Sequence, residues 1–290
     1  MTMKEKYLKH VSAWETMDHE PLGSVFKNQE DRYVEPFHIY GPIWYVGDTW
    51  VCVHLIDTGD GLLLIDCGNS GATAMLIHAI WKAGFNPADV KWIILSHGHL
   101  DHIGGAEFFR KMFGTELYMG KPDCDMFRER PELALLQDTG NPADQIFDVD
   151  HEIEEGEVLK FGNIEIEFRL VPGHTDGCIA MFFDVKEDGD SKRVGYYGGF
   201  GFNTLTKEYL TEIGDTEFRQ REIYLESIEK VKNEKVELFL GNHCENNRTL
   251  EKMKELQEGS CEGNPFIDET EWKSYLERKE KELKEFMASE

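Results

Sequence analysis

"LSHGHLDHIGG", residues 95–105, carries three histidines and an aspartate within the six positions 97–102. It continues "VKWIILS" (90–96), a short and nearly all-apolar run that reads as a buried strand. Four ligand-type side chains, His97, His99, Asp101 and His102, thus leave the end of one strand and run into the pair Gly104-Gly105. A lone histidine is ordinarily a surface or hydrogen-bonded core residue, and a lone Asp101 reads as a helix N-cap. Gathered without partners, the four would cost several kcal/mol in desolvation and repulsion. A metal relieves that cost, because imidazole nitrogen and carboxylate oxygen are ordinary zinc ligands. The spacing is not that of the H-E-x-x-H helix, whose two ligands sit one turn apart. In an extended stretch His97 and His99 point the same way and reach one metal, while Asp101 and His102, past a bend, face a second. Two metals need more than four ligands, so distant histidines are expected.

Two of the remaining eight histidines stand out. His174 lies in "VPGHTDGC", a glycine-rich turn directly after a strand, and His243 lies in "LFLGNHCENN", again where an apolar strand ends. In isolation each is as readily a turn residue as a ligand; the first cluster shifts the reading toward ligands. His10, His19, His38, His54, His78 and His151 read as packing or surface residues.

Around these motifs the chain reads as strands at 43–47 and 50–57, with a Thr58-Gly59-Asp60-Gly61 turn into "LLLIDCG". A helix over 71–84 precedes the strand at 90–96, and another of about 104–113 follows the histidines. Then come the strand "ELYMG" and a proline- and acid-rich stretch at 121–150. A hairpin is expected from 164–171 and 178–185, a strand at 193–198, a helix at 216–232, a strand at 236–241, and helices at 246–257 and the C-terminal end. The last helix puts Trp272, Leu276, Leu283 and Phe286 on roughly one face. Hairpins with interspersed helices point to layered sheets flanked by helices.

The 290 residues, 40% hydrophobic and 12% aromatic, suit a globular protein with a sizeable core. A net charge of −25, from 31 basic and 56 acidic residues, repels nucleic acid and anionic membrane surfaces. The expected partner is a small-molecule substrate, with neither nucleic acid nor membrane. The first 23 residues show no apolar run of signal-peptide length, and no stretch suits a bilayer span, so a cytoplasmic location is expected. Six cysteines, at 52, 67, 124, 178, 244 and 261, form no C-x-x-C pair and read mostly as buried thiols.

H-x-H-x-D-H followed by "IGG", a downstream "GHT" and a late strand-end histidine resemble the metallo-β-lactamase superfamily. "PFHIYGPIWYVG" (36–47) is similar to the family's first strands, and "VHLIDTGDGLLLIDCG" to its first hairpin. "NPFIDETEWKSYLERKEKELKEF" (264–286) resembles the ending of the third subclass of true metallo-β-lactamases. The resemblance implies an α/β fold, a four-layer αββα sandwich with two mixed sheets face to face and helices outside. It implies an N-terminal arm, 1–35, packed near the active site, and one domain over 36–290. It implies two zinc ions, one on His97, His99 and His174, the other on Asp101, His102 and His243. Asp66, in "LIDCG", matches an aspartate that braces the histidine loop; its ordinary reading is a turn cap. Many superfamily hydrolases carry a metal-bridging aspartate after the next strand. Here "YYGGFGFNT" (196–204) has glycines at 198, 199 and 201 and no ligand, which favours the third subclass. Cys178 and Cys244 are bystanders.

Two zinc ions on six protein ligands leave room for a water whose pKa the metal lowers to roughly 7. The implied activity is zinc-dependent hydrolysis in which a metal-bound hydroxide opens a cyclic amide, β-lactams included. Asp101 serves as the catalytic group that orients the nucleophile and moves a proton to the leaving group. The competing expectation is a lactonase or thioesterase acting on a small-molecule ester. An oxygen-reducing diiron relative has glutamate where this chain has His99, and a nuclease conflicts with the net charge. Specificity is expected from the N-terminal arm (Trp14, Phe26, Tyr33), the 121–150 stretch and the aromatic-rich segment from Gly198, with no substrate contact assigned.

Overall fold

The parallel strands that carry the histidine loop set the architecture of the protein, a computed structural model that describes residues 29–134 and 147–290. Trp14, Phe26 and most of the expected arm lie outside the described residues, as does 135–146 of the acid-rich stretch. The chain divides into two compact units. Of the described residues, the first holds those up to Ile39, those between Ile43 and Ile153, and Phe161–Asn163; the second holds Tyr40–Pro42, Glu154–Lys160 and Ile164–Glu290.

The first unit is built on a seven-stranded mixed sheet in sequential order. Its strands are β1 (Phe37–Tyr40), β2 (Ile43–Tyr45), β3 (His54–Asp57), β4 (Leu62–Ile65), β5 (Val90–Leu95), β6 (Glu116–Gly120) and β7 (His151–Ile153). β2, β3 and β4 are antiparallel, and the Thr58–Gly61 turn closes the β3–β4 hairpin with Thr58 N–H donating to the Gly61 carbonyl at 3.0 Å. From β4 to β7 every pairing is parallel. Parallel neighbours need crossovers, and helix α1 (Thr73–Lys82) supplies the first. The short α2 (Leu100–Ile103) and α3 (Ala106–Phe113) supply the second. β4, and β5 from Ile93 onward, are buried on both faces, which explains their near-continuous apolar runs. Leu64, Ile93, Leu95 and Leu117 pack in one core with Leu76 and Ile80 of α1, Ile103 of α2 and Phe109 of α3.

Parallel pairing has a direct functional consequence. Ile65 pairs with Ile94, and Leu95 with Met119, so β4, β5 and β6 end side by side. Whatever follows each strand is delivered to one edge of the sheet, the usual ligand-binding edge of such sheets. Asp66 follows β4, the histidine segment follows β5, and helix α4 (Lys121–Glu129) follows β6.

The second unit carries a five-stranded mixed sheet in the order β12-β11-β10-β9-β8. These are β8 (Val158–Phe161), β9 (Ile164–Leu170), β10 (Ile179–Glu187), β11 (Asp190–Tyr197) and β12 (Leu238–Leu240). β9, β10 and β11 are antiparallel, and β12 joins β11 in parallel after a crossover through α5 (Lys207–Ile213) and α6 (Arg219–Val231). α7 (Thr249–Glu258) and α8 (Glu271–Ser289) complete the unit. Trp272, Leu276 and Leu283 of α8 enter its core as the sequence pattern predicts. The Trp272 indole N–H donates to the Val231 carbonyl at 3.0 Å.

Three local features depart from the sequence expectation. Part of the acid-rich stretch is the helix α4, whose Pro122 stands in the first turn, where its missing N–H costs nothing. α5 is an additional helix, started by Thr206, whose hydroxyl accepts from Tyr209 N–H, and ended by left-handed Gly214. The strand expected from 50 begins only at His54, because the Asp48 carboxylate accepts from Trp50 N–H and Val51 N–H at 2.7 Å and folds the chain into a turn. The six cysteines are free thiols, five of them buried. Among the described residues no helix is long and apolar enough to cross a membrane.

Candidate metal centre

Asp66 organises the end of β5. It is wholly buried, with its backbone in the left-handed region at φ +61, and its N–H donates to the Ile94 carbonyl at 2.8 Å. The carboxylate accepts from Ser96 N–H at 2.7 Å, from the Ser96 hydroxyl at 2.8 Å and from His102 Nδ1 at 2.8 Å. His97 Nδ1 lies 3.0 Å from the Ser96 oxygen. That hydroxyl spends its proton on Asp66, so the imidazole is the donor in the His97–Ser96 pair. Nδ1 of His97 and of His102 is therefore tied, through Ser96 or directly, to one carboxylate, which leaves each Nε2 as the nitrogen that would ligate a metal.

The bend expected between the two half-motifs is α2. His99 is its extended N-cap, at φ −88 and ψ 151, and its carbonyl accepts from His102 N–H and Ile103 N–H. The turn carries Asp101 and His102 back toward His97. The His97 ring lies 4.2 Å from that of His102 and 4.9 Å from that of His99, centroid to centroid. One ligand atom each from His97, Asp101 and His102 falls within 4.8 Å of the others. Asp101 Oδ2 is 3.4 Å from His102 Nε2. Two imidazoles and a carboxylate converging in a buried place fit the donor set zinc prefers. Burial works against a charged His102, but Asp101 and Asp66 outweigh it and raise its pKa from 6.5 to about 10. The place draws positive charge, whether proton or metal.

Asp123, wholly buried in α4, is a site residue that the sequence reading missed. Its Oδ2 accepts from Gly98 N–H at 2.6 Å and pins the backbone between His97 and His99. A β-carbon at Gly98 would stand 2.7 Å from Met126 Cε and 2.9 Å from Phe127 Cε1, so only glycine fits beneath that helix. A signal for it was present: Asp123 lies one turn before Phe127 and beside Cys124, both buried, and an acid on the apolar face of a helix needs a partner. Cys67 donates its backbone N–H to the His102 carbonyl at 2.9 Å. Burial, aided by Asp66, pushes its thiol pKa up, so it stays a thiol.

In the second unit His174 occupies the turn between β9 and β10, where Val171 N–H donates to the Cys178 carbonyl and Gly173 N–H to the Thr175 carbonyl. His174 Nδ1 donates to the Gly201 carbonyl at 2.8 Å. His243 follows β12, with its N–H donating to Asn246 Oδ1 at 2.9 Å and its carbonyl accepting from Asn246 N–H. Of the aromatic residues expected to wall the site, Tyr33 donates its hydroxyl to Glu35 at 2.9 Å, and Phe200 is buried in the core of the second unit.

Residues 51–187 match the sequence profile of the metallo-beta-lactamase superfamily. The chain is 33% identical over 152 residues to the hydroxyacylglutathione hydrolase GloC of Haemophilus influenzae, a stretch that spans 52% of this chain and 68% of that protein. Its structure is similar to that of BJP-1, a subclass B3 metallo-β-lactamase of Bradyrhizobium japonicum. The TM-score there is 0.75 at 27% identity, over 89% of this chain and 96% of that one. The FEZ-1 metallo-β-lactamase from Legionella gormanii gives 0.77 at 26% identity, over 89% and 97%. The chain belongs to the metallo-β-lactamase superfamily. It has that superfamily's α/β sandwich fold, and it is a metallo-hydrolase.

Proposed function

We propose that the protein is a dizinc hydrolase that opens cyclic amides of the β-lactam kind. His97, His99 and His174 hold one ion, and Asp101, His102 and His243 hold the other. The observation that carries the reading is the convergence of His97, Asp101 and His102 above the Asp66 brace. Zinc bound there supplies a Lewis acid and a water acidified to a pKa of about 7. Asp66 keeps Nδ1 of His97 and His102 protonated, so that each ring presents Nε2. Asp123 holds Gly98 and fixes the spacing of His97 and His99. The Asp101 side chain keeps 15% of its surface exposed, whereas that of His102 keeps none. Asp101, the more exposed of the two, would therefore be the group to take the proton of the attacking water and return it to the leaving nitrogen.

The second reading, hydrolysis of a small-molecule ester or thioester, is favoured by the similarity to GloC, named a hydroxyacylglutathione hydrolase. The same residues serve it, but a thiolate leaves without needing the returned proton. Metal analysis of the purified protein, coupled to assays of nitrocefin, a lactone and a thioester with and without chelator, separates the two. Two zinc ions per chain and chelator-sensitive nitrocefin turnover are expected. Thioester or lactone turnover without nitrocefin turnover assigns the second reading, and activity indifferent to chelator overturns both.

A further inference from the structure

The segment Gly198-Gly199-Phe200-Gly201 contributes no ligand, yet it is built tightly against His174. The Gly201 carbonyl accepts from His174 Nδ1 at 2.8 Å, and the buried Thr204 hydroxyl lies 3.4 Å from the same nitrogen. A β-carbon at Gly199 would stand 2.7 Å from His174 Cδ2 and 2.6 Å from Cys178 Sγ. One at Gly201 would stand 3.0 Å from His174 Cε1 and 2.6 Å from Asn203 Oδ1. Cδ2 and Cε1 are the two ring carbons that flank Nε2. Bare backbone therefore closes on the ring at both of those carbons and holds its third atom, Nδ1, by a hydrogen bond.

Phe200 anchors this backbone in the core of its own unit. Its ring stacks on Tyr197 at 4.3 Å and meets Tyr275 edge-on at 4.6 Å. Its carbonyl accepts the Tyr224 hydroxyl at 3.2 Å. Gly199, at φ +78, makes the turn that lets Phe200 point inward while the flanking glycines face His174. A loop anchored by three aromatic residues is a rigid platform for a hydrogen-bond acceptor.

We propose that the 198–201 loop is a positioning device in which the Gly201 carbonyl locks His174 as the Nδ1–H tautomer. Nε2 is then the only nitrogen left with a lone pair for a metal, and its direction is set by the absence of side chains at 199 and 201. This rests on the reading of His174 as a zinc ligand. A metal-binding side chain at 199 or 201 is incompatible with the ring as it stands, since its β-carbon would displace the imidazole. The loop thus orients a ligand instead of providing one.

Gly201→Ala tests this without backbone strain, because Gly201 lies outside the left-handed region. Gly189→Ala, at φ +88 with open space around it, strains the backbone far from His174 and so controls for a general loss of stability in the same unit. Long-range 1H–15N correlation of the zinc-free protein reads the tautomer, and competition with a chromophoric chelator reads zinc affinity. His174 is expected to be protonated at Nδ1 in the wild type. Gly201→Ala is expected to give mixed tautomers and about 10- to 100-fold weaker zinc binding, the usual cost of losing a partner of a metal-bound histidine. Gly189→Ala changes neither readout. If Gly201→Ala does not fold, Gly201→Ala with Asn203→Ala removes the closest conflict and leaves only the contact with the ring. Native tautomer and native affinity in the folded variant, or a wild-type His174 protonated at Nε2, overturn the proposal. His174→Ala tests the underlying reading separately. Unchanged zinc binding there removes the metal role, while the tautomer measurement still decides whether the loop sets the ring.

Discussion

Asp66 does at one position what three separate residues would otherwise have to do. Its carboxylate binds the backbone of Ser96, the hydroxyl that orients His97, and the His102 ring. Aspartate and asparagine tolerate the left-handed backbone found there better than other non-glycine residues do. Asp66→Asn therefore tests the charge and the second acceptor oxygen without forcing a change of backbone. We expect zinc affinity, read by chelator competition, to fall about 10- to 100-fold. Asp48 offers a contrasting buried carboxylate. Its pKa is raised by burial, against the pull of the Trp50 and Val51 N–H groups and Arg32. A carboxylate whose folded pKa is raised favours folding at low pH, and that contribution is lost as pH rises through the folded value. Asp48→Asn keeps an oxygen for both N–H groups and removes the buried charge. Its melting temperature should exceed that of the wild type at pH 7, with the difference vanishing near the unfolded carboxylate pKa of about 3.9. A variant destabilised at pH 7 but not near pH 3.9 would show that the negative charge itself holds the turn.

Helix α4 shows how an element far along the sequence finishes a site begun elsewhere. Asp123→Ala leaves Gly98 N–H buried without its acceptor, which costs about 1–3 kcal/mol in denaturant unfolding. Asp123→Asn retains an acceptor oxygen and should recover most of that loss. The histidine segment was legible in the sequence because its four polar residues lie within six positions, directly after a strand whose apolar run is unmistakable. Asp66 was legible only through the resemblance of "LIDCG" to the family's bracing aspartate; the parallel pairing that puts adjacent strand ends together is the physical reason it reaches the histidines. Asp123 was not, because it comes from the third strand end, inside the proline- and acid-rich stretch at 121–150, to which the sequence reading assigns no helix. Its meaning depends on the helix that Pro122 starts, which brings Asp123, Met126 and Phe127 under Gly98. The role of Gly199 and Gly201 was hidden for a similar reason. The sequence shows that a ligand is missing from 198–201, but only packing shows what the missing side chains make room for.

At the scale of the whole chain, 56 acidic against 31 basic residues give a net charge of −25. Such a field acts on diffusional encounter more than on bound-state chemistry, and it is governed by ionic strength. The Debye length shrinks from about 30 Å at 0.01 M salt to about 8 Å at 0.15 M. An anionic substrate, such as a β-lactam with its carboxylate, approaches against this field at low salt and is released from most of the repulsion at high salt. Its kcat/KM should therefore rise between those two ionic strengths while kcat stays constant. A neutral lactone should show no change, and a cationic ester should lose kcat/KM over the same range. Steady-state kinetics on the three substrates at fixed pH separate long-range repulsion from a general effect of salt on the enzyme. If kcat/KM for the anion falls as salt is added, local positive charge at the centre, from the bound metal, governs encounter in place of the acidic surface.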